Sequence, residues 1–147
     1  VARITVSALI AVTPSRLWEE LRHIERHVTW MTDAVSIEFL SDQREGVGTS
    51  FRCVTKVGPF VTNDIMTITE WRENSSMGVT HQGIVEGRGV LRLEAEGTGT
   101  RMTWSEQLIF PWFALGPVGA FVAAPVLHVL WKKNLAALGV RVAADQR

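Results

Sequence analysis

A histidine and two carboxylates are the groups in this chain best placed to do chemistry. His81 lies in the run Met77–Gln82 on the parity of Met77 and Val79, so an alternating strand turns it inward. An inward imidazole can serve as acid, base or hydrogen-bond anchor. Glu106 falls between Trp104 and Leu108 on one strand face, where an unpaired carboxylate is costly or stays protonated. His81, Arg52 or a ligand hydroxyl would each remove that cost. Asp64 shares the parity of Met66 and Ile68 and is a weaker version of the same case. Together the three could carry acid–base chemistry on a ketone. Each also has a plain structural reading, as a satisfied core or rim histidine or as a strand-end carboxylate that reaches water. They come from three strands, so spacing alone does not set their distances.

Apolar walls around such groups would come from Trp30, Phe51, Met66, Trp104, Phe113, Phe121 and Trp131. Aromatic side chains also fill ordinary cores, and both readings stand at this point. Cys53 points inward and is expected to be inert. His23, His27 and His128 have no partner spacing that makes a metal site, and a lone cysteine excludes a Cys cluster. No phosphate loop, nucleophile elbow or dinucleotide fingerprint is present, because Gly87-Arg88-Gly89 lies within a run of strands and opens no helix. No metal and no cofactor are expected.

The elements that would hold these residues follow from periodicity. Arg3–Ile10 alternates as a half-buried strand with Ile4, Val6, Ala8 and Ile10 on one face. Thr13-Pro14 reads as an N-cap with proline at the first helical position. That helix puts Leu17, Trp18 and Leu21 inward and Glu19, Glu20 and Arg22 outward, and a second helical turn spans Ile24–Val28. Six strands then follow at short spacing: Val35–Ser41, Thr49–Val57, Val61–Trp71, Met77–Gln82, Arg88–Glu96 and Thr100–Phe110. Consecutive hairpins imply an antiparallel meander. With the helices segregated from the strands, the class is α+β, in the order β-α-α-β6-α.

The last third is the unusual part. From Phe110 to Trp131 the one titratable side chain is His128. Gly116-Pro117 and Pro125 interrupt this stretch, and Pro125 is expected to kink the helix or end its first part, dividing an apolar entrance segment, Phe110–Ala124, from a helix, Pro125–Val142. A gate is expected at Trp112–Gly119. In the helix, Leu127, Trp131, Leu135, Leu138 and Val142 form a buried stripe flanked by Lys132, Lys133, Asn134 and Arg141. Three prolines and two glycines in or beside the apolar run argue against a membrane span.

With 147 residues, one domain over 1–147 is expected. Fifteen basic residues balance fifteen acidic ones, so no global field draws the chain to nucleic acid. One cysteine suits a reducing compartment, and the start of the chain lacks a signal-peptide pattern, so a cytoplasmic protein is expected.

Several short stretches carry a resemblance. Val12-Thr13-Pro14-Ser15-Arg16-Leu17-Trp18, His27-Val28-Thr29-Trp30-Met31, Gly46-Val47-Gly48-Thr49 and the hairpin Gly97–Trp104, in this order and with a terminal helix, resemble the START/polyketide cyclase-like superfamily. The resemblance covers essentially the whole chain. It implies the helix-grip fold, a curved antiparallel sheet wrapped around a long C-terminal helix. It also implies a cavity between them for lipids, polyketides or other apolar ligands. The expectation is a binder of an apolar small molecule. The alternatives are a polyketide cyclase/dehydratase-type enzyme using His81 and Glu106, or docking on a membrane or a second copy of the chain through the apolar 110–130 segment.

Overall fold

A computed structural model describes the backbone of residues 2–110 and 116–144, and the side chains of residues 3–110 and 122–144. Strand β1 (Ala2–Ile10) leads into α1 (Pro14–Leu21), where the Thr13 hydroxyl accepts a hydrogen bond from the Arg16 amide and Pro14 opens the first turn. A 3₁₀ helix, Ile24–Thr29, follows. The meander is β2 (Ala34–Phe39), β3 (Ser50–Val57), β4 (Phe60–Arg72), β5 (Ser76–Gln82), β6 (Glu86–Glu96) and β7 (Gly99–Ile109), closed by α2 (Gly116–Ala144). The seven strands form one antiparallel sheet in the order β1-β7-β6-β5-β4-β3-β2. The chain therefore has the α+β architecture that its alternating strands imply and the helix-grip arrangement that the family resemblance implies.

The inner face is built by parity. Ile4, Val6 and Ile10 of β1, Phe51 and Cys53 of β3, and Met102, Trp104 and Leu108 of β7 are buried, while their sequence neighbours point out. Helix α2 lies across this face with Trp131, Leu135, Leu138 and Val142 buried, and Gly139 lets it approach Ile10 of β1 closely. Trp131 stacks on Trp104 at 4.6 Å and 16°, and Trp30 meets the Trp104 edge at 6.3 Å and 80°. Three indoles thus form the centre of the core.

The structure corrects three expectations for the helices. Pro125 does not end the first part of the last helix, since α2 runs unbroken from Gly116 to Ala144. Proline removes one backbone bond, but its φ is already helical, so the helix continues past it. Gly116–Gly119 consequently belong to the helix, while Trp112–Leu115 of the expected gate lie outside the described residues. Asn134, expected beside the buried stripe, is itself fully buried: its amide nitrogen donates to Asp33 at 2.7 Å and its oxygen accepts from the Thr32 amide and hydroxyl. Glu20, expected on the solvent side of α1, is buried and takes Arg141 of α2 and Arg26 as partners. In both cases a polar side chain is drawn inside by a partner far away in sequence.

Burial disfavours the Glu20 carboxylate, yet the two guanidinium groups outweigh burial and hold its pKa below the usual range. Arg141→Met should destabilise the fold by about 2 kcal/mol at neutral pH, because a buried carboxylate loses its α2 partner while the half-exposed arginine limits the effect. A carboxylate with a lowered folded pKa contributes stability above its unfolded pKa, and that contribution is lost as pH falls through the folded value. Urea unfolding across pH should therefore show the variant's deficit closing in acid.

Candidate functional site

The meander brings His81, Glu106 and Asp64 onto the same concave face. His81 of β5 is level with Met66 on β4 and Gly87 on β6, and Glu106 of β7 is level with Gly89 on β6 and Ile4 on β1. One whole strand separates the histidine from the glutamate, a backbone gap of about 9.5 Å at two strand spacings. They nevertheless meet, with His81 Nε2 and Glu106 Oε2 2.8 Å apart. Contact is possible because β6 carries no side chain between them. Gly87 and Gly89 leave a bare strip on its inner face, over which the two side chains close. A Cβ on Gly89 would stand 2.5 Å from Glu106 Oε1, and one on Gly87 would collide with the Gln107 carbonyl of β7.

Asp64 sits on β4 opposite Cys53 and is buried like Glu106. Thr62 donates to its Oδ2 at 3.4 Å, and a Cβ on Gly83 would run into its carboxylate. Glycines 83, 87 and 89 are the site residues that sequence reading missed. Gly83 and Gly87 fall between the expected strands Met77–Gln82 and Arg88–Glu96 and Gly89 is a small member of the second, though the shared inner parity of Gly87 and Gly89 was the available signal.

The charges are coupled. Burial opposes the His81 imidazolium, but the carboxylates of Glu106 and then Asp64 outweigh it and raise the His81 pKa above its ordinary value. Burial also raises the Asp64 pKa, with the Glu106 charge adding to it and His81 and Thr62 opposing. Trp104 Nε1 donates to Glu106 Oε1 at 3.0 Å, which fixes the carboxylate from below. The His81–Glu106 contact is close but lies off the ring N–H direction. Asp64 Oδ1, His81 Nε2 and Glu106 Oε2 therefore each lack an aligned hydrogen-bond partner among the described residues. Such a set can hold a hydroxyl or keto oxygen, or pass a proton to one.

Arg52, considered as a partner for Glu106, instead pairs with Glu38 on the far face of the sheet. Burial raises the Cys53 pKa, outweighing the opposing contact from Thr55 and helped by the charges of Asp33 and Asp64, so the thiol stays protonated. Trp30, Phe51, Trp104 and Trp131 are buried and Met66 is half-buried, all on the inner side. The side chains of Phe113 and Phe121 lie outside the described residues. Among the described residues, no group of three or more His, Cys, Asp or Glu could hold a metal ion.

A cleft of about 300 Å³ opens beside α2, between the loop after the 3₁₀ helix (Thr32, Asp33), the β3–β4 hairpin (Val57, Gly58) and Val126, Val129 and Leu130. None of the three ionisable residues lines it. Val57 is joined to Cys53, opposite Asp64, by four residues of β3, about 13 Å along the strand. Thr55 and Thr62, paired across β3 and β4, occupy the inner face between them.

Comparison with solved structures supports the architecture. TTHA0849 from Thermus thermophilus superposes with a TM-score of 0.83 at 17% identity, covering 99% of each chain. A START superfamily protein from Mycobacterium smegmatis gives 0.78 at 13%, over 98% of this chain and 99% of the other. An aromatase/cyclase from Streptomyces gives 0.76 at 14%, over 99% and 95%. No curated protein sequence matches. At these identities the structures speak for the fold alone. The family model described as "Polyketide cyclase / dehydrase and lipid transport" matches residues 1–144, and the chain belongs to that family.

Proposed function

We propose that the chain binds an apolar small molecule bearing a hydroxyl or keto group. The ligand's body would lie between the sheet and α2, and its polar group on His81, Glu106 and Asp64. One observation carries this reading: three ionisable side chains share a largely apolar concave face, each with a polar atom lacking an aligned partner among the described residues. Buried polar atoms are normally satisfied: a ligand hydroxyl can accept from His81 Nε2 and donate to a carboxylate oxygen, and a keto oxygen can accept from His81 Nε2. Family membership supports a lipid- or polyketide-like ligand class. The tryptophan stack argues that Trp30, Trp104 and Trp131 close one end of the space, leaving Phe51 and Met66 as its walls.

A matched pair of probes, 1-naphthol and naphthalene, tests the anchor. The protein should prefer the naphthol, and His81→Ala with Glu106→Gln should lower naphthol affinity roughly tenfold or more while leaving naphthalene unchanged, as expected for hydrogen bonds to charged groups. Equal binding of the two probes by the unaltered protein, or binding of neither, would defeat the reading.

The His81–Glu106 pair favours a second reading. A histidine with a raised pKa beside a carboxylate is poised to protonate a ketone oxygen or take up a proton beside it, the chemistry of a cyclase or dehydratase. In that case Glu106→Gln should abolish turnover of a poly-β-ketone while its binding persists.

A further inference from the structure

We infer that the mouth of the cleft is a docking surface for an anionic lipid bilayer. Phe60 opens β4 on the inner parity, level with the cleft residue Val57, and is 74% exposed. Across the cleft from Val57 and Gly58, α2 presents Val126 and Val129, exposed at 54% and 55%, with Val122, exposed at 64%, one turn before them. Their spacing of four and three residues, continued by Lys133, puts all four on one stripe of the helix. Val126 and Val129 on α2 and Val57 on β3, beside the exposed Phe60, give the opening apolar residues on both sides, and exposed apolar surface of this kind marks contact sites.

The charge around the edge points to the occupant. The chain has three lysines: Lys56 and Lys133 line the cleft, and Lys132 is exposed beside Lys133 on α2. None forms an ion pair with a described residue. Helix α2 contains no aspartate or glutamate, nor does the hairpin tip from Lys56 to Val61. The one carboxylate lining the cleft, Asp33, is taken up by the indole N–H of Trp131 and the amide of Asn134. An apolar edge rimmed by cations on a chain of zero net charge matches the acyl and phosphate layers of an anionic membrane. A second copy fits less well, because a two-fold contact through this edge would set lysines against lysines. No described helix is long and apolar enough to cross a membrane, so the contact is peripheral.

The docked pose would place the cleft against the lipid. The surface does not depend on the ligand proposed above, and the two can fail separately.

The test is sedimentation of the whole chain with vesicles of phosphatidylcholine containing phosphatidylglycerol, against vesicles of phosphatidylcholine alone. Partitioning should require the anionic lipid and weaken with added salt. Changing Lys56, Lys132 and Lys133 together to Gln should weaken it roughly a hundredfold, taking about fivefold per charge. Phe60→Ser should weaken it at low and high salt alike, and its thermal melt should match the unaltered chain because the ring is solvent-exposed. No sedimentation with either vesicle, equal sedimentation with both, or a solution dimer that Phe60→Ser dissociates would each overturn the inference. Naphthol binding by the unaltered chain without vesicles reads the ligand proposal independently.

Discussion

Trp131→Ala should lower the unfolding free energy by about 3–5 kcal/mol, the range for truncating a buried aromatic residue. Trp131 is 5% exposed and stacks on Trp104, which in turn meets the edge of Trp30. Removing the indole strips one face of Trp104 and leaves a void that backbone at the crossing of α2 and the sheet cannot readily fill. The hydrogen bond from Trp131 Nε1 to Asp33 is long at 3.4 Å, so most of the loss is packing. Trp131→Phe, which can keep a ring against Trp104, should lose less than half as much. Urea unfolding with an unchanged denaturant dependence would report this cleanly. The measurement also decides a structural question: a loss below about 1 kcal/mol would mean that the ring borders loosely packed space and acts as a ligand wall rather than as core.

What could be read from the sequence and what could not divides along the range of the interactions. Alternation along Arg3–Ile10 or Thr100–Phe110 is local, and a strand with one buried face has to show it, so the sheet and its inner face followed from residue order. The parity of His81, Glu106 and Asp64 followed in the same way. Their meeting did not, because it depends on which strands pair and in what register. Met66 opposite His81, Gly87 opposite His81, and Gly89 opposite Glu106 are facts of pairing. Without them, Gly87 and Gly89 look like weak points in a strand rather than the space in which an ion pair forms.

The misplaced residues share one cause. Glu20 and Asn134 are polar residues beside apolar stripes, and amphipathic patterning assigns them to water. Each is buried because a partner arrives from more than a hundred residues away: Arg141 for Glu20, and Asp33 and Thr32 for Asn134. Pro125 fails to end the helix for a different reason. Proline in mid-helix is costly, but α2 is held along its length by burial of Trp131, Leu135, Leu138 and Val142, and tertiary packing can carry one missing bond.

Glu106→Gln should move the titration of His81 from above the ordinary value of 6.5 to below it. The imidazole is nearly enclosed, and burial alone disfavours its charged form. In the unaltered protein the Glu106 carboxylate reverses that balance. Glutamine keeps the size and a hydrogen-bonding oxygen but removes the charge, which leaves burial opposed only by Asp64, whose own burial pushes it towards the neutral acid. Following the imidazole signals by NMR, with His81→Ala to separate this ring from His23, His27 and His128, gives the sign directly. Stability should follow the same linkage. A histidine whose folded pKa is raised contributes stability that is fully present below its unfolded pKa and is lost as pH rises through the folded value. The deficit of Glu106→Gln relative to the unaltered chain should therefore be larger at about pH 6 than at about pH 9, by about 1.4 kcal/mol for each unit by which the two folded pKa values differ within that window. If His81 still titrates above the ordinary value in Glu106→Gln, the glutamate does not govern the imidazole. The anchoring and acid–base readings of the pair would then both lose their physical basis.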